Sequence, residues 1–391
     1  MRLGDCCKTN LHTYSEKEKW SLIRYLDTGN ITEGRIDEIQ SLYPGEDKIP
    51  SRARRKVSIG DILFSTVRPN QKHYGIIEAG TENLLVSTGF TVVTVDTTIA
   101  DPYFIYYYLT QPSVIESLQA IAEQSTSTYP SIKPSDIENI ELDLPELETQ
   151  KKIGSTLRML DRKRSLNEEI NDNLEQQAQS YFQELFVDNA DPEWTIGTIS
   201  DLGAVVGGST PSKAKTEYYT ESGIAWITPK DLSINKSKFI AHGENDITEL
   251  GLKNSSAAIM PEGTVLFSSR APIGYIAIAA GEVTTNQGFK SVVPKPEIGT
   301  PFVYFFLKHN LPVIEGMASG STFKEVSGST MKNIPAILPD AETLERFNAF
   351  CAPIFAQQRI LEEQSLSLAA LRDNLLPKLM SGEIDVSDIQ L

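Results

Sequence analysis

The chain has 391 residues, 36 Lys+Arg against 52 Asp+Glu, and a formal net charge of −16. That length implies several domains, and a hydrophobic content of 40% with 23% charged residues is that of a globular chain. Averaged over the whole chain, the charge speaks against a nucleic-acid binder, because phosphate affinity rests on Lys and Arg. Three cysteines, two of them adjacent (Cys6 and Cys7), make no disulfide framework. The opening MRLGDCCKTN lacks the apolar core of a signal peptide. No stretch approaches about 18 apolar residues. A cytoplasmic protein is expected.

In chain order, short β-branched or aromatic runs predict strands at 61–66 and 90–95, and an amphipathic run predicts a helix over 102–122. A long helix follows Pro145. Its seam is marked every seven residues by Ile153, Leu160, Asn167, Leu174 and Tyr181. The pattern then returns. Strands are predicted at 264–268 and 275–279, a helix over 301–317, and a second long helix after Pro339 with seam residues Phe347, Ile354, Leu361, Leu368 and Leu375. Pro353 is expected to kink or divide that helix.

The return is a duplication. GDILFSTVRP from Gly60 recurs as GTVLFSSRAP from Gly263, and STGF from Ser87 recurs as NQGF from Asn286. DPYFIYYYL from Asp101 recurs as GTPFVYFFL from Gly299. The two helical seams are in register at an offset of 194. The fold class expected is α+β. Two pseudo-symmetric mixed domains, 1–144 and 189–338, are each followed by a long helix, 145–188 and 339–391, and the two helices pair as an antiparallel coiled coil. Each helix of about 40 residues is about 60 Å long. Asn167 interrupts the first seam, as polar residues do where they fix register.

Dividing the chain changes the reading of its charge. Residues 141–190 and 338–391 carry ten of the sixteen excess negative charges. Lys48 to Gly60 contains Arg52, Arg54, Arg55 and Lys56 and no acid. Arg68, Lys72, His73 and Tyr74 follow a strand. In the second copy a basic loop holds Ser209, Thr210, Lys213 and Lys215, Arg270 follows a strand, and Asn286, Gln287 and Lys290 surround a turn. Such side chains suit phosphates and base edges: Arg grips guanine, and Asn or Gln grips adenine. The Ser/Thr-rich loops 125–128 and 320–324 either contact DNA backbone or are simple turns. The four histidines have no metal-ligand spacing, and no phosphate-binding GxxxxGK[ST] loop, GxSxG elbow or dinucleotide GxGxxG pattern occurs. The chain reads as a recognition or scaffold protein and not as an enzyme on its own.

Several motifs are similar to one family over the whole length: Met1-Arg-Leu-Gly-Asp5, Pro192-Glu-Trp194 with Gly207-Gly-Ser-Thr-Pro-Ser212, Leu144-Pro145 with Gln150-Lys-Lys-Ile153, and Leu375-Leu-Pro-Lys-Leu-Met-Ser-Gly-Glu383. In this order they resemble the specificity (S) subunit of type I DNA restriction–modification systems. The second helix start lacks the Gln-Lys-x-Ile pattern of the first. The resemblance implies that each mixed domain reads one half of a bipartite site in double-stranded DNA while the helices measure the spacer. It implies two modification (methyltransferase) subunits that bind S-adenosylmethionine, two restriction/translocase subunits that use ATP and Mg, no cofactor in this chain, and no membrane. The alternatives are a coiled-coil adaptor that reads no DNA and a self-contained nuclease or methyltransferase.

Overall fold

The structure, a computed structural model, describes every residue except 126–128, 321–323 and 388–391. The Ser/Thr-rich loops therefore lie partly outside the described residues. The chain forms two compact units, Met1–Arg164 with Ser367–Leu391, and Ser165–Leu366. Among the described residues, no helix is long and apolar enough to cross a membrane.

The first unit contains strands β1 (Cys7–Thr9), β2 (Ile23–Leu26), β3 (Ile31–Thr32), β4 (Arg35–Ile36), β5 (Gln40–Leu42), β6 (Ala53–Lys56), β7 (Ile62–Ser65), β8 (Tyr74–Ile76), β9 (Leu84–Ser87) and β10 (Phe90–Val95). They form an antiparallel sheet β1-β10-β7-β8, a mixed sheet β5-β2-β9-β6 and a small hairpin β3-β4. Helices α1 (Pro102–Leu109), α2 (Pro112–Glu123) and α3 (Pro134–Glu138) follow. The single helix expected over 102–122 is thus two helices. Pro112 opens the second, and Gln111 before it has the extended backbone (ψ 139°) that a following proline imposes. The core joins Phe64, Phe104, Ile105 and Leu109 to Ile153, Leu157, Leu376 and Leu379 of the two long helices.

These long helices are α4 (Leu147–Gln183) and, in chain order after the second domain, α11 (Ala341–Met380). Between them the second unit adds β11 (Thr195–Thr198), α5 (Ile199–Leu202), β12 (Gly203–Gly207), β13 (Tyr219–Thr220), β14 (Ile224–Ile227) and α6 (Pro229–Ile234). Then come β15 (Phe239–Ile240), β16 (Asn245–Ile247), α7 (Glu249–Lys253), β17 (Val265–Ser269), β18 (Ile273–Ala279), β19 (Thr284–Thr285) and β20 (Lys290–Pro294). Helices α8 (Thr300–His309), α9 (Leu311–Gly316) and α10 (Gly328–Lys332) and strand β21 (Pro335–Leu338) complete it. Its sheets run β12-β20-β17-β18-β15 and β13-β16-β14-β19, with a two-stranded β11-β21. The helix expected over 301–317 is again broken, with Pro312 at the start of α9.

The duplication is visible in the strand order. β1-β10-β7-β8 corresponds to β12-β20-β17-β18, and the parallel pair β2·β9 corresponds to the parallel pair β14·β19. The sheet edges differ: β6 borders the first copy, β13 and β15 border the second, and where β15 pairs with β18 the first copy sets its β3-β4 hairpin beside β8.

Within each unit the two long helices run antiparallel. In the first, Arg372 donates to Asp161 at 3.0 Å. In the second, Asn167 Nδ2 donates to Leu361 O and Ser365 Oγ, Gln358 donates to Asn171 O, and the Tyr181 and Phe347 rings lie 6.0 Å apart. All ten seam residues are buried or half-buried. A second set four residues further on is equally part of the seam: Leu157, Arg164, Asn171 and Ala178 on α4, and Cys351, Gln358, Ser365, Arg372 and Leu379 on α11. Both helices start two residues after their proline, at 147 and 341. Pro353 does not divide α11. Its neighbours Cys351, Ile354 and Phe355 are buried in the core, and that burial outweighs the one lost backbone hydrogen bond.

Each helix start is pinned to its own domain, by different atoms in the two copies. In the first, Asp101 caps α1 through Phe104 N (2.9 Å), and its side chain occupies the space over Gly154 of α4. Gln150, 1% exposed, accepts from Asp101 N and donates to Pro145 O. In the second copy the residue equivalent to Asp101 is Gly299, at φ +84°, and the residue equivalent to Gly154 is Asn348, which fills the space and donates to Ile298 O at 2.8 Å. One side chain serves each contact, and its partner is glycine.

A Cβ on Gly154 lies 2.6 Å from Asp101 Oδ1 and 3.0 Å from Phe104 N. Gly154→Ala should therefore destabilise the first unit by about 2 kcal/mol despite its gain in helix propensity, which thermal unfolding followed by circular dichroism measures. Asn167 is fully buried with its Oδ1 unpartnered. Asn167→Leu should raise the unfolding midpoint by the equivalent of about 1 kcal/mol while admitting a second oligomeric state, detected by light scattering.

Candidate nucleic-acid interface

The two copies share one built turn. In the first, Ser87–Gly89 joins β9 to β10. Thr66 donates to Gly89 O from both its backbone N (2.8 Å) and its hydroxyl (2.9 Å). In the second, Asn286–Gly288 joins β19 to β20, and Ser269 donates to Gly288 O in the same two ways (2.7 and 3.1 Å). Inside each turn the side-chain oxygen of the first residue accepts the N–H of the third: Ser87 Oγ from Gly89, and Asn286 Oδ1 from Gly288. The turn is thus fixed from outside by a hydroxyl and from inside by a side-chain cap, and its tip residue, Thr88 or Gln287, is exposed. The clamping strand ends in matching geometry, with Arg68 at φ 49° and Ala271 at φ 47°, both followed by proline.

Around the second turn the structure brings together six of the eight residues singled out there. Thr210 hydrogen-bonds Gln287, Ser209 N donates to Thr285 O, and Lys290 donates to Gln287 O at 3.3 Å. Gly208 permits this approach, since a Cβ there would collide with the carbonyls of Thr285 and Asn286. Arg270 and Lys290 both face Glu325, at 3.6 and 3.5 Å. The oxygen of Asn286 is committed to its own turn. Lys213 and Lys215 lie further along an exposed loop, Lys215 over the Tyr218 ring.

The first domain distributes its cations more widely. Arg52 O accepts from Thr88 N, which places the exposed Arg52 beside the tip. Arg68 lies two residues beyond the clamping Thr66 and stacks on the exposed Tyr129 (5.2 Å). Lys72 pairs with Glu33 at 2.5 Å. The run through Arg54, Arg55 and Lys56 belongs to a strand, β6, and not to a loop, because it pairs with β9 across a bulge. Arg55 is half-buried with Nε unpartnered, and burial lowers its pKa. Lys56 pairs with Glu18 and lies over Trp20. Arg54 lines a groove of about 610 Å³ with Tyr14, Lys19, Trp20, Pro44 and Pro50. Tyr74 lies in β8 and not in a polar loop: it is 7% exposed, packed between Phe64 and Tyr106, and burial pushes its phenol pKa up. It belongs to the core and presents nothing to a base edge. Among the described residues no cluster of three His, Cys, Asp or Glu could hold a metal ion.

Sequence reasoning missed Thr66 and Ser269, the acid Glu325, the aromatic Tyr129 and the tip Thr88. The paired hydroxyls sit at matching places in the repeat, so a residue-by-residue alignment of the copies contains that signal. The pairing of Glu325 with Arg270 depends on the fold alone.

Two mixed domains, each presenting a clamped turn flanked by cations and each followed by a long helix, define a duplicated recognition scaffold. The chain belongs to the family of the type I restriction modification DNA specificity domain, whose sequence profile matches residues 5–176 and 192–366. It is 25% identical to the type I restriction enzyme HindI specificity subunit of Haemophilus influenzae over 98% of both chains. It is 38% identical to the MjaIX specificity subunit of Methanocaldococcus jannaschii over 48% of this chain and 45% of that one. The solved S subunit of a type I restriction-modification system from M. genitalium shares the fold, with a TM-score of 0.60 at 17% identity over 97% of this chain and 95% of that chain.

Glu325 neutralises two cations beside the tip. Glu325→Gln should strengthen binding of a double-stranded oligonucleotide and steepen its salt dependence by about one to two counterions, read from affinity titrations across salt concentrations. An unchanged slope contradicts the assigned interface.

Proposed function

We propose that this chain is the DNA-specificity subunit of a type I restriction–modification complex, with 1–144 and 189–338 as its target-recognition domains and 145–188 and 339–391 as its spacer helices. The observation that carries this reading is the recurrence of one clamped turn with different side chains around it. Thr88, Arg52 and Arg68 surround the first, and Gln287, Thr210, Arg270 and Lys290 surround the second. One scaffold with two sets of donors and acceptors suits an asymmetric, bipartite site.

On this reading the chain does no chemistry itself. Two modification subunits dock on it and bring S-adenosylmethionine, and two restriction subunits bring ATP and Mg. The helices set the distance between the half-sites, and the complex works in the cytoplasm. The acidic balance of the chain means that much of the phosphate attraction comes from the partners.

Exchanging residues 189–338 for the corresponding domain of a relative that keeps the glycine of position 299 facing Asn348, in a host carrying the whole system, should change one half of the methylated motif and leave the other, as methylome sequencing reads directly. Arg270→Ala should relax the same half by about 1–3 kcal/mol at one base pair. A motif that changes in both halves, or in neither, contradicts the reading.

A further inference from the structure

The second clamped turn sits at one end of the sheet β12-β20-β17-β18-β15. Strand β12 leads into Gly208-Ser209-Thr210, β17 leads into Arg270, and β20 begins at Lys290. The edge strand of the same sheet, β15, is tied to the long helices. Glu362 on α11 accepts the backbone N–H groups of Lys238 (2.7 Å) and Phe239 (3.0 Å), one on each oxygen, where β15 begins. The Lys238 side chain is 6% exposed, and its ammonium lies 2.5 Å from Glu175 on α4 and 2.7 Å from Gln358 on α11. It sits over the rings of Phe355 (3.8 Å) and Tyr304 (4.6 Å). The other oxygen of Glu175 accepts from Tyr304 Oη (3.1 Å) and Lys308 (2.6 Å).

Ions buried in this way add little stability over a well-packed apolar substitute. Burial pushes the Glu175 pKa up, and Lys238 and Lys308 outweigh that and hold it below the ordinary glutamate range. What such a cluster supplies is one geometry, because only one arrangement satisfies every donor and acceptor. In the first copy the place of β15 is taken by the β3-β4 hairpin, where Gly34 N donates to Tyr74 O of β8, and no described lysine there is buried between the helices; Arg158 of α4 pairs with Glu78 at 3.0 Å. Tyr107 also donates to Asp161 there, at 2.8 Å.

We propose that Glu175 and Glu362, acting through Lys238 and β15, are positioning residues that set the orientation of the second domain's reading turn on the helices, and so its sequence discrimination. The inference rests on the specificity-subunit reading. The hydrogen-bonded sheet carries the constraint from β15 to Arg270 and Lys290. None of the positioning residues belongs to the reading turn itself.

The test uses the complex assembled with its modification subunits and a pool of duplexes randomised at each half-site, with kcat/KM for methylation measured base by base. The second half-site is the one that the 189–338 exchange alters. Lys238→Met and Glu362→Gln should reduce discrimination at the second half-site about tenfold, since small misplacements of a reader are costly, and leave the first within about twofold. Lys238→Arg, which keeps the charge, should retain both. Tyr304→Phe removes a single hydroxyl without disturbing ring packing, and should lower second-site discrimination in the same direction. Unchanged discrimination in Lys238→Met and Tyr304→Phe, or an equal loss at both half-sites, overturns the proposal. A wild-type complex indifferent to both half-sites overturns the specificity-subunit reading instead.

Discussion

Half-buried carboxylates on the central helix, each gathering several partners, are the interactions on which each unit rests. In the first unit Asp161 gathers Tyr107, Arg164 and Arg372. In the second Glu175 gathers Tyr304, Lys308, Lys238 and, from α11, Gln358 (3.4 Å). Each joins a mixed domain and the opposite long helix to one side chain of α4. Removing one member of such a group leaves an uncompensated charge, and that costs about 3–5 kcal/mol where the pair is buried. The excess acid of the helices is therefore only partly a surface property. Asp161, Glu175 and Glu362 are matched inside the fold.

The two copies keep their strand order and diverge at their edges. β6 brings a basic run to the first copy, and β15 brings Lys238 to the second. The divergence thus fell on two different sheets, giving the first copy a cationic border on β5-β2-β9-β6 and the second a mount on β12-β20-β17-β18-β15. The long seam shows a related division. Its ends are apolar and aromatic, as at Leu157 and Leu379 or Tyr181 and Phe347. Within the second unit it turns polar at Asn167, Asn171, Gln358 and Ser365, where hydrogen bonds name the partner.

Much of this was legible in the sequence. The duplication, the two long helices and their starting prolines follow from offsets and seven-residue spacing, which report backbone periodicity directly. What failed were features decided by packing. Tyr74 carries a polar tip and sits among charged residues in the sequence, yet its place in β8 turns it into the core. Pro353 breaks helices locally and is outvoted by Cys351, Ile354 and Phe355. The seam was half seen, because one apolar residue per heptad marks it and the companion positions are often polar. Of the candidate interface, the cation-bearing loops were visible as composition. Which of them meet the turn was not, since Thr66 and Ser269 are ordinary hydroxyl residues until the fold brings them to Gly89 and Gly288.

The exchange of filler and glycine at the helix starts has a consequence for inheritance. A gene with two related halves invites crossover between them. A crossover falling between the codons for the 101/299 site and the 154/348 site joins Asp101 to an asparagine in place of Gly154, or Gly299 to a glycine in place of Asn348. The first hybrid crowds two side chains into space built for one, and the second leaves an empty space with neither contact made. Viable recombinants must carry a domain together with the opening turns of its own helix, so the natural unit of exchange is longer than the domain that reads.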